Sequence, residues 1–248
     1  MNIETQEQLK KMNLLGMLRA FTTSLESDQM TSYTPDEMIA FLVQSEWDDR
    51  QNRQIERQVK NARFRYNASM EQVIYEKDRN LDKNQMMRYS ECTFIENREN
   101  IFITGSTGIG KSYVASTIGH QACIKGYKVL YANTEKLMSK LKMAKADGSY
   151  IKEIARIERQ DLLILDDFGI QPFDNQSRSC LMEIIEDRHG KRSTIITSQV
   201  PTKLWHEVIG EKTIADAILD RIVHNAHRME LVGESMRKNS AKKKITEN

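Results

Sequence analysis

Residues 105–112 read Gly-Ser-Thr-Gly-Ile-Gly-Lys-Ser, which matches the spacing of a phosphate-binding loop. Glycines let the backbone of such a loop wrap so tightly that its N–H groups surround phosphate oxygens. Lys111 is expected to reach the outer phosphates of a nucleotide, and Ser112 offers a hydroxyl ligand for Mg²⁺. The predicted nucleotide-binding residues are Gly105, Ser106, Thr107, Gly108, Ile109, Gly110, Lys111, Ser112 and Tyr113.

The segments on either side of this loop favour a functional site over an ordinary glycine-rich turn. Residues 101–104 form a short apolar, β-branched run typical of a strand, and residues 113–125 have the pattern of a helix. Such a helix directs the positive end of its dipole toward the bound phosphates. The strand, loop and helix in this order predict a P-loop NTPase.

Downstream of the loop, strand patterns alternate with helical patterns. Further strands are predicted at residues 128–132, 162–165, 193–199 and 228–232. Helices are predicted at residues 134–145, 150–159, 176–190, 201–209 and 213–226. This alternation predicts an α/β domain with a five-stranded parallel sheet between helices. The predicted domains are a helical N-terminal domain at 1–78, a nucleotide domain at 79–235 and a basic tail at 236–248.

The composition indicates the class of protein, but it says little about the partners that the protein binds. The chain has 248 residues, of which 29% are charged, but its formal net charge is only +2. Its three cysteines are scattered, which suggests a reducing cytoplasm rather than a disulfide framework or a metal site. The start lacks a signal-peptide profile, and no apolar run approaches the ~20 residues that span a bilayer. We therefore expect a soluble cytoplasmic protein without a membrane partner.

The first part of the chain has helical patterning instead. Apolar residues at helical spacing predict one amphipathic helix over about residues 5–27. A second helix is predicted at about residues 35–62, with Thr34 as its N-cap and Glu37 completing a capping box.

The second of these helices carries basic residues that step by three and four. These residues, with the two that follow, are Arg50, Arg53, Arg57, Lys60, Arg63 and Arg65. A basic face of this kind is suited to the phosphates of DNA, and these six are the predicted DNA-binding residues. The alternative is a solvated helix face, which interspersed acids would favour. Such acids are present at Glu46, Asp48, Asp49 and Glu56. Charge alone supports both interpretations equally.

Two acids follow the predicted strand at residues 162–165. A carboxylate at the carboxyl end of a buried strand lies where nucleotide-binding crevices open. Asp166 is predicted to hold Mg²⁺, usually through water, and Asp167 to orient or deprotonate the attacking water. The polar end of strand four, residues 197–199, is a candidate to touch the γ-phosphate or that water, although polar residues are also common at ordinary strand ends.

With these motifs in hand, the chain resembles the IstB family of ATP-binding helper proteins of bacterial insertion sequences. These are relatives of the DnaC helicase loader among the AAA+ ATPases. The resemblance covers most of residues 5–240. It rests on the helical leader and on residues 46–50, 105–112, 163–169, 197–199 and 233–237. The phosphate-binding loop is shared by many ATPases. The combination of the basic leader with Asp166-Asp167-Phe168-Gly169 is a much more specific indicator of this family.

The resemblance implies an AAA+ ATPase with ATP and Mg²⁺ as cofactors. Such a protein self-associates on double-stranded DNA, remodels it, and recruits and stimulates a transposase of the IstA type. Strand four would lie between the strands that carry Lys111 and Asp166, making Ser198 or Gln199 the sensor-like residue. Arg221 matches the family's arginine-finger position, which would stabilise charge on the transferring phosphoryl group in a neighbouring subunit. Its alternative role is a salt bridge on a helix surface.

Two departures from the general AAA+ pattern affect these expectations. Asp167 stands where most AAA+ motors have Glu, and its shorter side chain predicts slow hydrolysis. The sequence also ends soon after strand five, so we expect no C-terminal lid domain. Without a lid, nucleotide retention would depend on the neighbouring subunit, and a sensor role for Arg237 stays open. The basic tail (Lys238, Lys242, Lys243 and Lys244) is expected to be solvated rather than bound to nucleic acid.

Three other functions are compatible with parts of this sequence. A replicative helicase loader would engage a helicase through the same helical leader, and it is the nearest alternative. A small-molecule kinase also has a phosphate-binding loop, but the adjacent acids, the candidate finger and the basic leader argue against it. A structural DNA-binding protein would use ATP only as an assembly ligand.

Overall fold

The computed structural model describes residues 2–27, 33–75 and 79–236. The chain divides into two compact units, Met1–Arg57 and Gln58–Asn248. The domain limits expected from sequence near residues 78 and 235 remain predictions. In the described ranges, no helix combines the length and the apolar character that crossing a bilayer requires.

The first unit is built from helices. Its elements are α1 (Asn2–Lys11), α2 (Leu15–Glu26) and the greater part of α3 (Pro35–Ala62). The prediction of one continuous helix over residues 5–27 is wrong, because the chain is interrupted at Asn13, whose φ is 59°. Asparagine tolerates this left-handed conformation better than most residues, so it can separate α1 from α2.

Helix α3 begins as its capping pattern predicts. The backbone N–H and the hydroxyl of Thr34 donate to Glu37 Oε2 at 2.8 and 2.9 Å. The backbone N–H of Glu37 donates back to Thr34 Oγ1 at 3.4 Å. These reciprocal hydrogen bonds are the capping box, and they fix the first turn of the helix.

Helices α2 and α3 approach each other closely at a glycine. The backbone N–H of Gly16 donates to Glu46 Oε2 at 2.8 Å, so the buried Glu46 carboxylate caps the start of α2. A Cβ atom at Gly16 would lie 2.4 Å from the carbonyl oxygen of Ser45. Only glycine fits this contact without a shift of α3.

The second unit is organised around a parallel sheet. Its strands are β1 (Asn100–Gly105), β2 (Val129–Asn133), β3 (Leu162–Phe168), β4 (Ser193–Ser198) and β5 (Ala226–Leu231). Their order is β2-β3-β4-β1-β5, and all neighbouring pairs are parallel. The predicted five-stranded sheet is confirmed, as is the place of β4 between the strand before the phosphate-binding loop and the strand that carries Asp166.

Helices surround the sheet. The helices of this unit after α3 are α4 (Lys83–Ser90), α5 (Thr93–Glu96), α6 (Lys111–Ile124), α7 (Thr134–Asp147), α8 (Tyr150–Glu158), α9 (Asn175–Arg188), α10 (Trp205–Ile209) and α11 (Lys212–Val223). The helix predicted at residues 201–209 is a 3₁₀ turn, Thr202–Leu204, followed by the shorter α10.

The sheet has an apolar core on each face, and β1 illustrates how the strands build both. Ile101 and Ile103 belong to one core together with Ile118 of α6, and all three are fully buried. Phe102 belongs to the other core, where its ring lies 4.8 Å from that of Trp205. Alternate side chains of a strand point to opposite faces, so a strand covered on both sides needs a continuous apolar run.

Candidate nucleotide-binding site

The phosphate-binding loop connects β1 to α6, as predicted. Gly105 has a φ of 144°, and a Cβ atom there would lie 2.3 Å from the carbonyl oxygen of Leu231. Gly110 has a φ of 102° and immediately precedes the first residue of α6. Both positions therefore need glycine. The free N–H groups at the start of α6 and the positive end of its dipole lie at this loop, which suits it to anions.

Lys111 is buried against the loop that it follows. Its Nζ donates to the carbonyl oxygens of Gly105 and Ser106, both at 2.8 Å. Burial lowers the pKa of Lys111, and the nearby carboxylates of Asp167 and Asp166 act in the opposite direction. The ammonium group is thus positioned inside the loop, beside the atoms that would surround a phosphate.

The first acid of β3, Asp166, is fully buried and surrounded by hydroxyl groups. Its Oδ1 accepts hydrogen bonds from Ser112 Oγ at 2.7 Å and from Thr197 Oγ1. Its Oδ2 accepts a short hydrogen bond from the hydroxyl of Tyr131. Burial, together with this bond to Asp166, raises the pKa of Tyr131. The structure therefore brings together Ser112 and Asp166, the two predicted magnesium ligands.

The second acid, Asp167, faces the cavity rather than the sheet. Its φ is 59°, a left-handed conformation that breaks the strand alternation at the end of β3. Its Oδ2 accepts a hydrogen bond from Asn133 Nδ2 at 3.2 Å, and its backbone N–H donates to Thr197 Oγ1 at 3.1 Å. The two adjacent acids therefore have different surroundings, as their predicted division of labour requires.

Arg65, one of the six predicted DNA-binding residues, lies beside these two acids. Its Nη1 is 3.2 Å from Asp167 Oδ2 and 3.5 Å from Asp166 Oδ2. Helix α3 ends at Ala62, and Arg63 has a left-handed φ of 60°, so the helical spacing no longer applies beyond that point. The predicted DNA contact of Arg65 stays a prediction, and in this structure its guanidinium is paired with the two acids.

A cavity of about 690 Å³ opens beside the loop and the acids. This volume is within the range of small-molecule and cofactor sites. Lys111, Ser112 and Asp167 contribute its polar lining. Aromatic and apolar side chains complete it, namely Tyr66, Val73, Ile74, Tyr113 and Val114. The rings of Tyr66 and Tyr113 lie 6.0 Å apart. A nucleotide has both chemical characters, a charged phosphate chain and a flat apolar base.

The donor set fits a magnesium ion that is bound together with phosphates. Ser112 Oγ and the Asp166 carboxylate are hard oxygen ligands within 2.7 Å of each other. No cluster of three or more His, Cys, Asp or Glu side chains able to hold a metal occurs in the part of the chain that the structure describes. Mg²⁺ does not need one, because it is usually held by one or two protein groups plus phosphate oxygens and water.

The two sensor candidates on β4 are in different positions. Ser198 is buried, and its hydroxyl donates to the carbonyl oxygen of Phe168 at 2.6 Å. Gln199 lines the cavity, and its Oε1 accepts a hydrogen bond from Thr107 Oγ1 at 2.5 Å. Of the two residues, Gln199 is the one placed to contact a ligand.

Arg221 lies away from this cavity within the chain. It belongs to α11, where its Nε is 2.6 Å from Glu186 Oε2 and its Nη1 donates to the carbonyl oxygen of Ala217 at 2.8 Å. It lines a different, smaller cavity. This geometry matches the alternative of a salt-bridging surface residue, and the finger role in a neighbouring subunit stays a prediction.

The remaining basic residues of α3 fall into two groups. Arg50 and Arg53 are paired with acids of the same helix, Arg50 with Glu46 at 2.7 Å and Arg53 with Asp49 at 2.7 Å. The second group, Arg57, Lys60 and Arg63, is exposed, and its members have no ion pair within the described ranges. The interspersed acids thus engage only the first part of the basic face.

Several residues of the site were not predicted. Arg79 is buried, and its guanidinium donates to the carbonyl oxygens of Ile109 and Ile74, both at 2.8 Å, which ties the phosphate-binding loop to an upstream segment. No spacing in the sequence indicates this contact. Asn133 could have been identified, because it ends β2 at the same edge of the sheet as Asp166. Arg237 and the tail lysines lie outside the described residues.

Comparison with known proteins identifies the family. The profile of the IstB-like ATP-binding proteins matches residues 7–244. The insertion sequence ATP-binding protein y4pL of Sinorhizobium fredii is 41% identical over 239 residues, which are 96% of this chain and 98% of that protein. The ATP-binding protein of insertion sequence IS1162 from Pseudomonas fluorescens is 36% identical over 203 residues, covering 82% of this chain and 88% of the relative.

Solved structures show the fold. The DnaC helicase loader superposes with a TM-score of 0.56 at 18% identity, covering 67% of this chain and 98% of the loader. The AMPPCP-bound DnaA from Aquifex aeolicus superposes with a TM-score of 0.58 at 18% identity, covering 75% of this chain and 57% of DnaA. The nucleotide unit therefore has the P-loop AAA+ fold. By its sequence, the chain belongs to the family of IstB-like ATP-binding proteins.

Proposed function

We propose that this chain is an AAA+ ATPase that assembles on double-stranded DNA with ATP and serves insertion-sequence transposition. In this role it remodels target DNA and recruits and stimulates a transposase of the IstA type in the cytoplasm. The observation that carries the proposal is the arrangement of the phosphate-binding loop, Asp166 and Asp167 beside one cavity. The names of the relatives, insertion sequence ATP-binding proteins, support ATP as the ligand and transposition as the process.

In this proposal the loop binds the phosphates of ATP through backbone N–H groups, and Lys111 contacts the outer phosphates. Ser112 and Asp166 hold Mg²⁺, which when bound neutralises charge on the transferring phosphoryl group. Tyr66 and Tyr113 line the same cavity and provide aromatic surface for the base. AMPPCP in the DnaA structure is an ATP analogue, which supports this assignment of the ligand.

Hydrolysis depends on Asp167 and Gln199 in this scheme. Asp167 faces the cavity and orients or deprotonates the water that attacks the γ-phosphate, while Gln199 contacts the γ-phosphate or that water. Because the carboxylate of Asp167 is one methylene shorter than that of Glu, we expect slow turnover and a long-lived ATP state. A turnover well above the enzyme median of about 10 s⁻¹ would contradict this expectation.

Self-association would complete the site. Arg221 of one subunit would act on the nucleotide of its neighbour as an arginine finger. To do so, its guanidinium has to exchange the carboxylate of Glu186 for phosphate oxygens, which are also anionic and bidentate acceptors. An oligomer would therefore hydrolyse ATP faster than a monomer.

The DNA contacts are assigned to α3 and the residue that follows it. Arg57, Lys60 and Arg63 are exposed, so their charges are available for phosphate oxygens. Arg50 and Arg53 would join them only by giving up part of their pairing with Glu46 and Asp49. We therefore expect Arg57, Lys60 and Arg63 to dominate the salt dependence of DNA binding.

The test is sedimentation velocity with a duplex of roughly 60 base pairs, which offers phosphates for several subunits. ATP, ADP and nucleotide-free samples are compared, with Lys111→Ala as the variant that should bind ATP more weakly, at an ATP concentration that does not saturate it. A large complex that forms with ATP and is lost with ADP and in the variant supports the proposal. A monomer that ignores DNA in every nucleotide state refutes it, and phosphoryl transfer to a small metabolite would then favour a kinase.

A second candidate function is helicase loading. The likeness to the DnaC helicase loader favours it, although at 18% identity that likeness shows the fold alone. Co-purification separates the two functions. A transposase bound in the presence of ATP supports transposition, and a replicative helicase bound instead supports a loader.

A further inference from the structure

The acid pair at the end of β3 is paired with a cation of its own chain. Among the described residues, the ion pairs of Asp166 and Asp167 both go to Arg65, at 3.5 and 3.2 Å. In sequence, Arg65 is 101 and 102 residues away from these acids. The contact is therefore a product of the tertiary fold and not of local helix spacing.

Lys111 is a second cation near the acids, but among the described residues it makes no ion pair with either carboxylate. Tyr131, Ser112 and Thr197 donate hydrogen bonds to the buried Asp166 through neutral hydroxyls. The Lys111 ammonium directs its hydrogen bonds to the carbonyl oxygens of the loop. A buried carboxylate is costly without a compensating charge, and Arg65 contacts it directly.

Arg65 is also able to move. Residues 63–69 belong to no helix or strand, and 43% of the Arg65 side chain is exposed. In this same conformation its guanidinium lies 5.6 Å from the centre of the Tyr66 ring, so the neighbouring aromatic side chain also contacts the cation. Displacement of this side chain breaks no backbone hydrogen bond of the sheet.

We propose that Arg65 is an internal competitor of Mg²⁺, which pairs with Asp166 and Asp167 in the nucleotide-free protein and leaves them when magnesium–nucleotide binds. This inference rests on the proposed ATP site and adds a residue that sets its metal dependence. A guanidinium at its present distance from Asp166 and a divalent cation held by the same carboxylate would repel each other strongly. By linkage, each must weaken the binding of the other.

The proposal predicts a specific change in metal dependence. The dissociation constant of mant-ATP, a fluorescent ATP derivative, is measured with excess EDTA and with saturating Mg²⁺, and the ratio of the two constants is compared between proteins. Arg65→Gln should increase this Mg²⁺ advantage by about three- to ten-fold, as expected for loss of a partly exposed ion pair with two acids. Arg65→Lys keeps the positive charge, so its ratio should stay closer to that of the wild type.

Arg63→Gln is the matched control. Arg63 is exposed, lies on the same segment and has no ion pair with the acids within the described ranges. Its proposed partner is DNA, which is absent from this assay, so its ratio of nucleotide-binding constants should equal that of the wild type. Thermal unfolding of each variant checks that the fold is retained. Because the readout is a ratio of binding constants, a general loss of stability does not imitate the predicted change.

Three results would overturn the proposal. An unchanged or smaller Mg²⁺ advantage in Arg65→Gln would show that Arg65 does not compete with the metal. Equal weakening with and without Mg²⁺, for mant-ATP but not mant-ADP, would make Arg65 a γ-phosphate contact instead. An equal change of the ratio in Arg63→Gln would show that the loss of any nearby positive charge, and not the pairing of Arg65 with the acids, causes the effect. Failure of the wild type to bind mant-ATP at all would instead refute the proposed function.

Discussion

The cavity beside the phosphate-binding loop and the two acids, here called the cleft, and helix α3 both concentrate charge, but in different ways. In the cleft, Arg65, Lys111 and Asp166 come from distant parts of the sequence and meet in a partly or fully buried setting. Along α3, Arg50 and Arg53 pair with acids of the same helix four residues earlier. The cleft therefore owes its chemistry to the fold, whereas the pairing of Arg50 and Arg53 along α3 follows from helix spacing.

This difference determines what each region reveals about its partner. The cleft has a defined volume, two acids with separate surroundings and a loop suited to phosphates, so its ligand follows from geometry. Helix α3 offers charges on a surface, and a surface of this kind is compatible with DNA or with solvent. Mutations should accordingly have large, specific effects in the cleft and smaller, additive effects on α3.

The largest effect is expected at Asp167. Asp167→Asn should lower ATP hydrolysis by about two to four orders of magnitude, because it removes the carboxylate that orients or accepts a proton from water. Asparagine also tolerates the left-handed φ of 59°, so the fold and the affinity for ATP should be retained. Phosphate release on duplex DNA measures the first quantity and calorimetry the second. A variant that hydrolyses ATP at the wild-type rate would remove Asp167 from the mechanism.

An intermediate effect is expected on α3. Arg57→Gln and Lys60→Gln should each reduce the slope of log affinity for duplex DNA against log salt by about 0.9. Arg50→Gln and Arg53→Gln should change it less, because these side chains are already paired with Glu46 and Asp49. The slope is measured by fluorescence anisotropy of a labelled duplex over a salt series. Equal slopes in all four variants would mean that α3 does not contact DNA phosphates.

The smallest effect is expected outside both regions, at the start of α9. Asp174 accepts a hydrogen bond from Ser177 N at 2.8 Å as the N-cap, so Asp174→Ala should cost about 1 kcal/mol of stability. ATP and DNA binding should not change. The hydrogen bond from Lys142, then that from Ser177, lowers the pKa of Asp174 to about 2.

The pH dependence of this cap has a defined sign. The pKa of Asp174 in the folded protein lies below its ordinary value. The ionised Asp174 therefore contributes fully to the free energy of unfolding above the ordinary pKa, and this contribution is lost as the pH falls toward about 2. Thermal unfolding of wild type and Asp174→Ala over this acidic range measures it. Stability curves that stay separated by the same amount at every pH would contradict the assignment.

The sequence predicts the parts of the site that depend on short-range patterns. The phosphate-binding loop, the apolar strand before Asp166 and the capping box of α3 are each encoded within a few residues, and all three are found. The resemblance to the family added the position of β4, which no local pattern contains.

Other features depend on contacts between distant residues and were not predicted. Arg65 follows the basic residues of α3 in sequence, but the helix ends before it, and the fold brings it to the acids. Thr197 bonds to both acids because β4 lies beside β3, whereas the sequence indicated residues 197–199 only as candidates to touch the γ-phosphate or the attacking water. The break at Asn13 was missed because the apolar residues that predicted the helix, from Leu14 to Leu25, all lie after it.

Calorimetric titration with Mg·ATP measures whether residues 105–112 and Asp166 form an ATP site. The titration compares wild type, Lys111→Ala and the exposed control Arg57→Gln, each checked for folding by thermal unfolding. Lys111→Ala should weaken ATP binding about ten-fold or more, because hydrogen bonds to charged groups contribute roughly 1.5–3 kcal/mol each, and the control should bind ATP like the wild type. Equal affinities in wild type and Lys111→Ala would contradict this site.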